Sequence, residues 1–125
     1  VRILGNATLL KELVRNLVDN AMNYTPSSAE NPGVITVRVL SNTAGKVVAL
    51  QVEDSGPGIP AAEREQIFRP FYRALGTQVD GSGLGLAIVM EVARLHSAMV
   101  NVQDASPGKP QPGASFTVRF PHTSA

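Results

Sequence analysis

Apolar and polar positions along the chain alternate in two periods. From Asn6 to Tyr24 the apolar residues Leu10, Leu13, Val14, Leu17, Val18 and Ala21 recur at helical spacing. At about 100° per residue they share one face, and Glu12, Asn16, Asp19, Asn20 and Asn23 are expected on the opposite side. Asn6 or Thr8 can cap this helix, and Pro26 stops it. After a polar stretch closed by Asn31-Pro32-Gly33, the period drops to two. Ile35, Val37 and Val39 fall on one side of a strand from Val34 to Leu40, with Thr36 and Arg38 on the other. A turn at Asn42 to Gly45 leads to a second strand, Val47 to Glu53, with Val48, Leu50 and Val52 on one face. The two read as an antiparallel hairpin.

Asp54 to Pro60 forms a glycine- and proline-rich loop, followed by a short helix with Ala61 to Ile67 as its body. Arg69 to Asp80 is irregular. Gly81 to Gly85 then opens a second long helix running to about His96. Strands from Met99 to Gln103 and Ala114 to Phe120 complete the pattern, joined by a Pro/Gly-rich loop from Ser106 to Gly113. Neither an internal repeat nor a dividing linker is present, so the 125 residues form one domain.

Composition narrows the function classes. Eleven basic against ten acidic residues leave a formal charge of +1, which argues against a generic nucleic-acid binder. The absence of cysteine excludes disulfides, thiolate metal sites and a cysteine nucleophile. No uncharged apolar run is long enough to span a bilayer, and Val1 to Gly5 carries no secretory pattern. At 43% hydrophobic the chain is not disordered, and with 5% aromatics the core must be mostly aliphatic.

Three segments carry candidate chemistry. Asn16, Asn20 and Asn23 stand at i, i+4 and i+7, where a solvated face would normally use better helix formers. The amide oxygens of Asn16 and Asn20 suit a hard cation or phosphate-bound Mg²⁺; a cap or a buried hydrogen bond is the alternative. Asp54-Ser55-Gly56-Pro57-Gly58 puts a carboxylate at a strand end before two glycines. It can accept from an amino group while the backbone approaches closely, or form a plain turn. Gly81-Ser82-Gly83-Leu84-Gly85 opens a helix and can wrap an anion, although it is neither a Walker loop nor a dinucleotide fingerprint.

In this order, the segments resemble the ATP-binding catalytic domain of bacterial sensor histidine kinases. That family belongs to the wider group including gyrase, the MutL proteins and a heat-shock chaperone. Asn16 to Ala21 resembles the N box, and Asp54 to Gly58 the first glycine box. Ile67 to Arg73 resembles the F box, Gly81 to Gly85 the second glycine box, and Gly113 to Phe116 the third. The resemblance implies an α/β (α+β) two-layer sandwich of the Bergerat type, its mixed, mostly antiparallel sheet covered on one face by helices.

It also implies roles. Asp54 would accept the adenine amino hydrogen; Gly56, Gly58 and Ile59 would line the base pocket, with Tyr24 packed on the adenine. Asn20 would hold Mg²⁺, and Asn16 would lie near the phosphates of ATP. Gly81, Gly83, Leu84 and Gly85 would meet the phosphates through backbone amides, and Arg73 would reach the terminal one. Asn16, Asn20 and Arg73 are thus the implied catalytic residues. Asn16 stands where gyrase-like relatives carry a water-activating Glu, so transfer to a protein acceptor is favoured over hydrolysis. The implied partners are a histidine-bearing dimerisation domain of the same kinase and, indirectly, a response regulator, with no nucleic acid and no direct membrane contact. The implied location is the cytoplasmic portion of an inner-membrane sensor.

The chain departs from the pattern at Asn23, where Lys or Arg is frequent, and at Ala114, where a hydroxyl residue is common. Leu75 to Asp80 makes a short lid, and His96-Ser97-Ala98 replaces His-Gly-Gly, with His96 read as a structural helix-end residue. Two other functions share features with this pattern: a serine kinase of the anti-sigma-factor type, and a non-catalytic nucleotide-binding module.

Overall fold

The computed structural model describes residues 6–25, 32–41, 47–69 and 85–121. Helix α1 spans Ala7–Tyr24. Asn6 caps it, its Oδ1 accepting from the Leu9 amide at 3.1 Å, which satisfies one of the free first-turn donors. Strand β1 (Ile35–Ser41) pairs antiparallel with β2 (Val47–Asp54). Two 3₁₀ turns, Ala61–Glu63 and Gln66–Phe68, stand where a single short helix is expected. Helix α2 (Gly85–Leu95) precedes β3 (Met99–Asp104) and β4 (Ala114–Pro121).

The sheet order is β1-β2-β4-β3, and all three described pairings are antiparallel rather than mixed. Both helices pack on one face. Leu13, Leu17 and Ala21 of α1 meet Val89, Val92 and Ala93 of α2 over Leu50, Val52, Val102, Phe116, Val118 and Phe120. Among the described residues the buried core is aliphatic apart from Phe116 and Phe120, as composition requires; each fully buried Leu or Val contributes about 1.5–3 kcal/mol. Phe68 packs edge-on against Phe116 with centroids 6.1 Å apart, so the first aromatic of the F-box segment anchors to the core.

The exposure of two groups lies beyond what periodicity gives. Val37 and Val39 do lie on the helix side of the sheet, opposite Val52 and Leu50, but they are exposed because β1 is the edge strand. Asn16 and Asn20, away from the apolar stripe as expected, are half-buried because α2 packs against that flank of α1. Leu10, Val14 and Val18, on the other flank, line an open groove of about 790 Å³.

The far end of the helix pair is locked by His96. Its Nε2 accepts from the Asn6 amide at 3.0 Å, and its Nδ1 lies 2.8 Å from the Val92 carbonyl, which fixes the tautomer with the proton on Nδ1. His96 also meets Phe120 edge-on, in the structural role expected of it. Helix α2 ends in a Schellman motif: Ala98 N–H bonds Ala93 O, and Ser97 N–H bonds Arg94 O. Ser97 carries the left-handed backbone there, at φ 55°. Among the described residues no helix is long and apolar enough to cross a membrane.

Candidate functional site

Antiparallel packing brings the chemistry to one end of the sandwich. Helix α1 finishes there and α2 begins there; β2 and β3 finish while β1 and β4 begin. The register places Ile35 opposite Asp54 and Asp104 opposite Ala114, so the strand-end residues form one row.

Asp54 is the centre of the row. It is buried, at 8% exposure, with Oδ1 accepting from Gly56 N–H at 2.9 Å and Ala114 N–H at 3.1 Å. Burial pushes its carboxyl above the ordinary carboxylate value, and the hydrogen bonds from Gly56 and Ala114, with the nearby Thr25 hydroxyl, partly offset that rise. No backbone donor to Oδ2 is described and only the Thr25 hydroxyl lies near the carboxylate, so it can still accept from an incoming donor.

The two glycine segments around Asp54 are stitched through their backbones. Gly113 N–H donates to Gly56 O at 2.9 Å, and Ala105 N–H donates to Gly113 O at 3.1 Å. Gly113 sits at φ 70°, and a Cβ there would lie 1.9 Å from Asp54 O. Only glycine permits this approach. Gly58 lies against Gly113 O, and Ile59 packs on the core. Ser55 Oγ accepts from Val34 N–H at 2.8 Å, tying the loop to the start of β1.

Arg64 adds a clamp that sequence reasoning missed. Its Nε donates to Ile59 O at 3.1 Å and its Nη2 to Asp104 Oδ1 at 3.0 Å. The guanidinium therefore fastens the loop after Asp54 to the end of β3. Its sequence context, Ala61-Ala62-Glu63-Arg64-Glu65, gives no periodic cue. Thr25 was also passed over, as the residue before the helix-stopping proline. It is 9% exposed, and its Oγ1 is buried with no hydrogen-bond partner among the described residues.

On the helix side, Asn16 Nδ2 donates to Glu12 O at 2.7 Å, and Oδ1 faces the first residue of α2. A Cβ at Gly85 would come within 3.2 Å of that oxygen. Asn20 lies one turn further on, half-buried and with no described hydrogen bond. Its amide oxygen is a hard donor suited to Mg²⁺ whose other ligands are phosphate oxygens. Among the described residues no group of three or more His, Cys, Asp or Glu gathers to hold a metal. The structure thus brings together Asp54, Gly56, Gly58 and Ile59, and separately Asn16, Asn20 and Gly85. Arg73, Gly81, Gly83, Leu84 and the lid stretch lie outside the described residues, as does the Tyr24 side chain.

Comparison with known proteins matches this geometry. Residues 5–124 match the family described as histidine kinase-, DNA gyrase B-, and HSP90-like ATPase. A signal transduction histidine-protein kinase/phosphatase MprB from Mycobacterium sp. (strain KMS) is 42% identical over 121 residues, covering 96% of this chain and 22% of the relative. A solved mycobacterial sensor histidine kinase MprB superposes with a TM-score of 0.87 at 32% identity, covering 98% of this chain and 78% of that one. Full-length ShkA, solved with AMPPNP, gives 0.75 at 30% identity, covering 98% and 23%. The chain spans about a fifth of the length of the curated relatives it matches. It belongs to the histidine kinase-, DNA gyrase B- and HSP90-like ATPase family, as an ATP-binding domain of the sensor histidine kinase kind.

Proposed function

We propose that this domain binds Mg-ATP and presents its γ-phosphoryl group to a histidine on a separate dimerisation domain of the same kinase. The carrying observation is the buried Asp54 carboxylate, one oxygen held by two backbone amides and the other with no backbone donor described. Asp54 accepts from the adenine amino group, which favours adenine over guanine, whose corresponding group is a carbonyl. Gly56, Gly58 and Ile59 line the base, and Tyr24 packs on it.

Asn20 supplies an oxygen to Mg²⁺, which neutralises phosphate charge. Asn16, with its amide nitrogen held by Glu12 O, keeps its oxygen at the opening of α2 beside the phosphates. Gly81, Gly83, Leu84 and Gly85 offer backbone amides to the phosphates, aided by the helix dipole. Arg73 meets the terminal phosphate. The acceptor imidazole nitrogen bonds to the γ-phosphorus as its bond to the bridging oxygen breaks, and ADP leaves with that electron pair. The work of the domain is positioning and charge neutralisation. Asn16 cannot act as a base, so hydrolysis stays slow. A response regulator would receive the phosphoryl group downstream, and the domain would work in the cytoplasm as part of a membrane sensor.

Incubation with γ-labelled ATP and a cognate histidine-bearing hairpin tests this. Base-stable, acid-labile label on the hairpin alone is the expected result. Label stable in acid, or label on this chain by itself, overturns it.

A further inference from the structure

The base end of the site holds one polar group that the scheme above leaves idle. Thr25 closes α1 in extended backbone, φ −112° and ψ 104°, which turns its side chain off the helix. Its hydroxyl is buried beside Asp54, near enough to favour the ionised carboxylate, yet it completes a hydrogen bond of full geometry with no described group. A hydroxyl removed from water and left unmatched is costly, so a buried orphan of this kind is kept for a partner that arrives.

The surrounding donors are already committed. Gly56 and Ala114 N–H go to Asp54 Oδ1, and Gly113 N–H goes to Gly56 O. Ala114 contributes only a methyl beyond its backbone. An ionised Asp54 can accept but not donate. Adenine presents an amino donor next to a ring-nitrogen acceptor, N1, so Asp54 answers only half of that edge. The Thr25 hydroxyl is the described donor beside the carboxylate.

We infer that Thr25 is a base-reading residue: its hydroxyl donates to adenine N1, directly or through one water, while Asp54 accepts from the adjacent amino group. The inference rests on the nucleotide reading proposed above and extends it to the second position of the base edge. Asp54 and Thr25 together match the donor–acceptor order of adenine.

Thr25→Val keeps the shape and removes the hydroxyl; Thr25→Ser restores a hydroxyl. Calorimetry of the 125-residue chain in Mg²⁺ compares ATP with 1-deaza-ATP, in which a C–H replaces N1. Thr25→Val should weaken ATP by about 5- to 30-fold and leave 1-deaza-ATP unchanged, while Thr25→Ser retains most of the ATP affinity. The unliganded melting temperature of Thr25→Val should equal or exceed that of the parent, because an orphan hydroxyl has been replaced by a methyl. Unchanged ATP affinity in Thr25→Val overturns the inference. So does equal loss for both nucleotides, or a lower unliganded melting temperature, since either assigns the hydroxyl to the fold. Failure of the parent chain to bind ATP at all would strike the nucleotide reading itself.

Discussion

The proposed base end, around Asp54, and the proposed phosphate end, around Asn16, Asn20 and Gly85, are built in different ways. Around Asp54 the structure is backbone on backbone: Gly113 to Gly56, Ala105 to Gly113, and Ala114 to the carboxylate. Arg64 clamps the same loop from the side. Around Asn16, Asn20 and Gly85 the contacts come from side chains on a helix face, and the closest approach is to the side-chain oxygen of an asparagine rather than to backbone. A site that must distinguish one base edge from another needs fixed donors and acceptors. Phosphates that enter, lose a group and leave are better met by groups able to shift. The contrast predicts that the same change will have unequal effects at the two ends.

The largest effect should come from Gly113→Ala. Its methyl would meet Asp54 O at 1.9 Å, and neither backbone can retreat without parting β2 from β4. Positive φ and overpacking together should destabilise the domain by about 3 kcal/mol or more, read as a fall in the urea midpoint.

Asp54→Asn comes next and separates binding from folding. It keeps the shape but introduces a donor, so ATP affinity should fall by about 1–3 kcal/mol in calorimetry. Stability should move the other way. Because burial raises the native carboxyl above its ordinary value, the stability it contributes is fully present below the unfolded pKa. That contribution is lost as pH rises through the native value. Melts of Asp54→Asn across this window should show a flatter pH dependence than the parent.

At the phosphate end, Asn20→Ala should weaken ATP about tenfold in Mg²⁺, roughly 1.4 kcal/mol, and far less in EDTA. Equal losses in both buffers would make Asn20 a structural residue. Smallest of all should be Gly85→Ala. The added Cβ lies 3.2 Å from Asn16 Oδ1, an atom that can give, and alanine favours the helix. A net change within about 1 kcal/mol is expected in the melt. A loss as large as that of Gly113→Ala would erase the contrast between the two ends.

The long elements were legible because their periodicity and punctuation agree. Asn6, the helix apolar stripe and the alternating strands lead to α1, β1 and β2 within a residue or so of their observed limits. The turn at Asp54 was legible for a related reason: a strand-end Asp followed by glycines carries its geometry in residue type. Sequence failed where burial depends on a distant neighbour. The helical projection puts Asn16 and Asn20 away from the apolar stripe but cannot say that α2 will pack there. Alternation puts Val37 and Val39 on one face but cannot say that β1 is the edge strand, where they stay exposed. The segment 61–68 breaks into two tight turns because it has no apolar stripe and because Arg64 turns back to Ile59 O. Thr25 looks like an ordinary residue before proline, and only its burial marks it.

The bond between Ala114 N–H and Asp54 Oδ1 crosses 60 positions of the chain. A ribosome adding about 5–20 residues per second takes about 3–12 seconds to make that span. Throughout this interval the strand end carrying Asp54 exists without the strand that completes it. Nucleotide bound as proposed at Asp54 would therefore stabilise the domain only once β4 is paired with β2. In a cell rich in ATP, binding of the proposed ligand would act as a check on synthesis, favouring chains in which β4 has closed against β2.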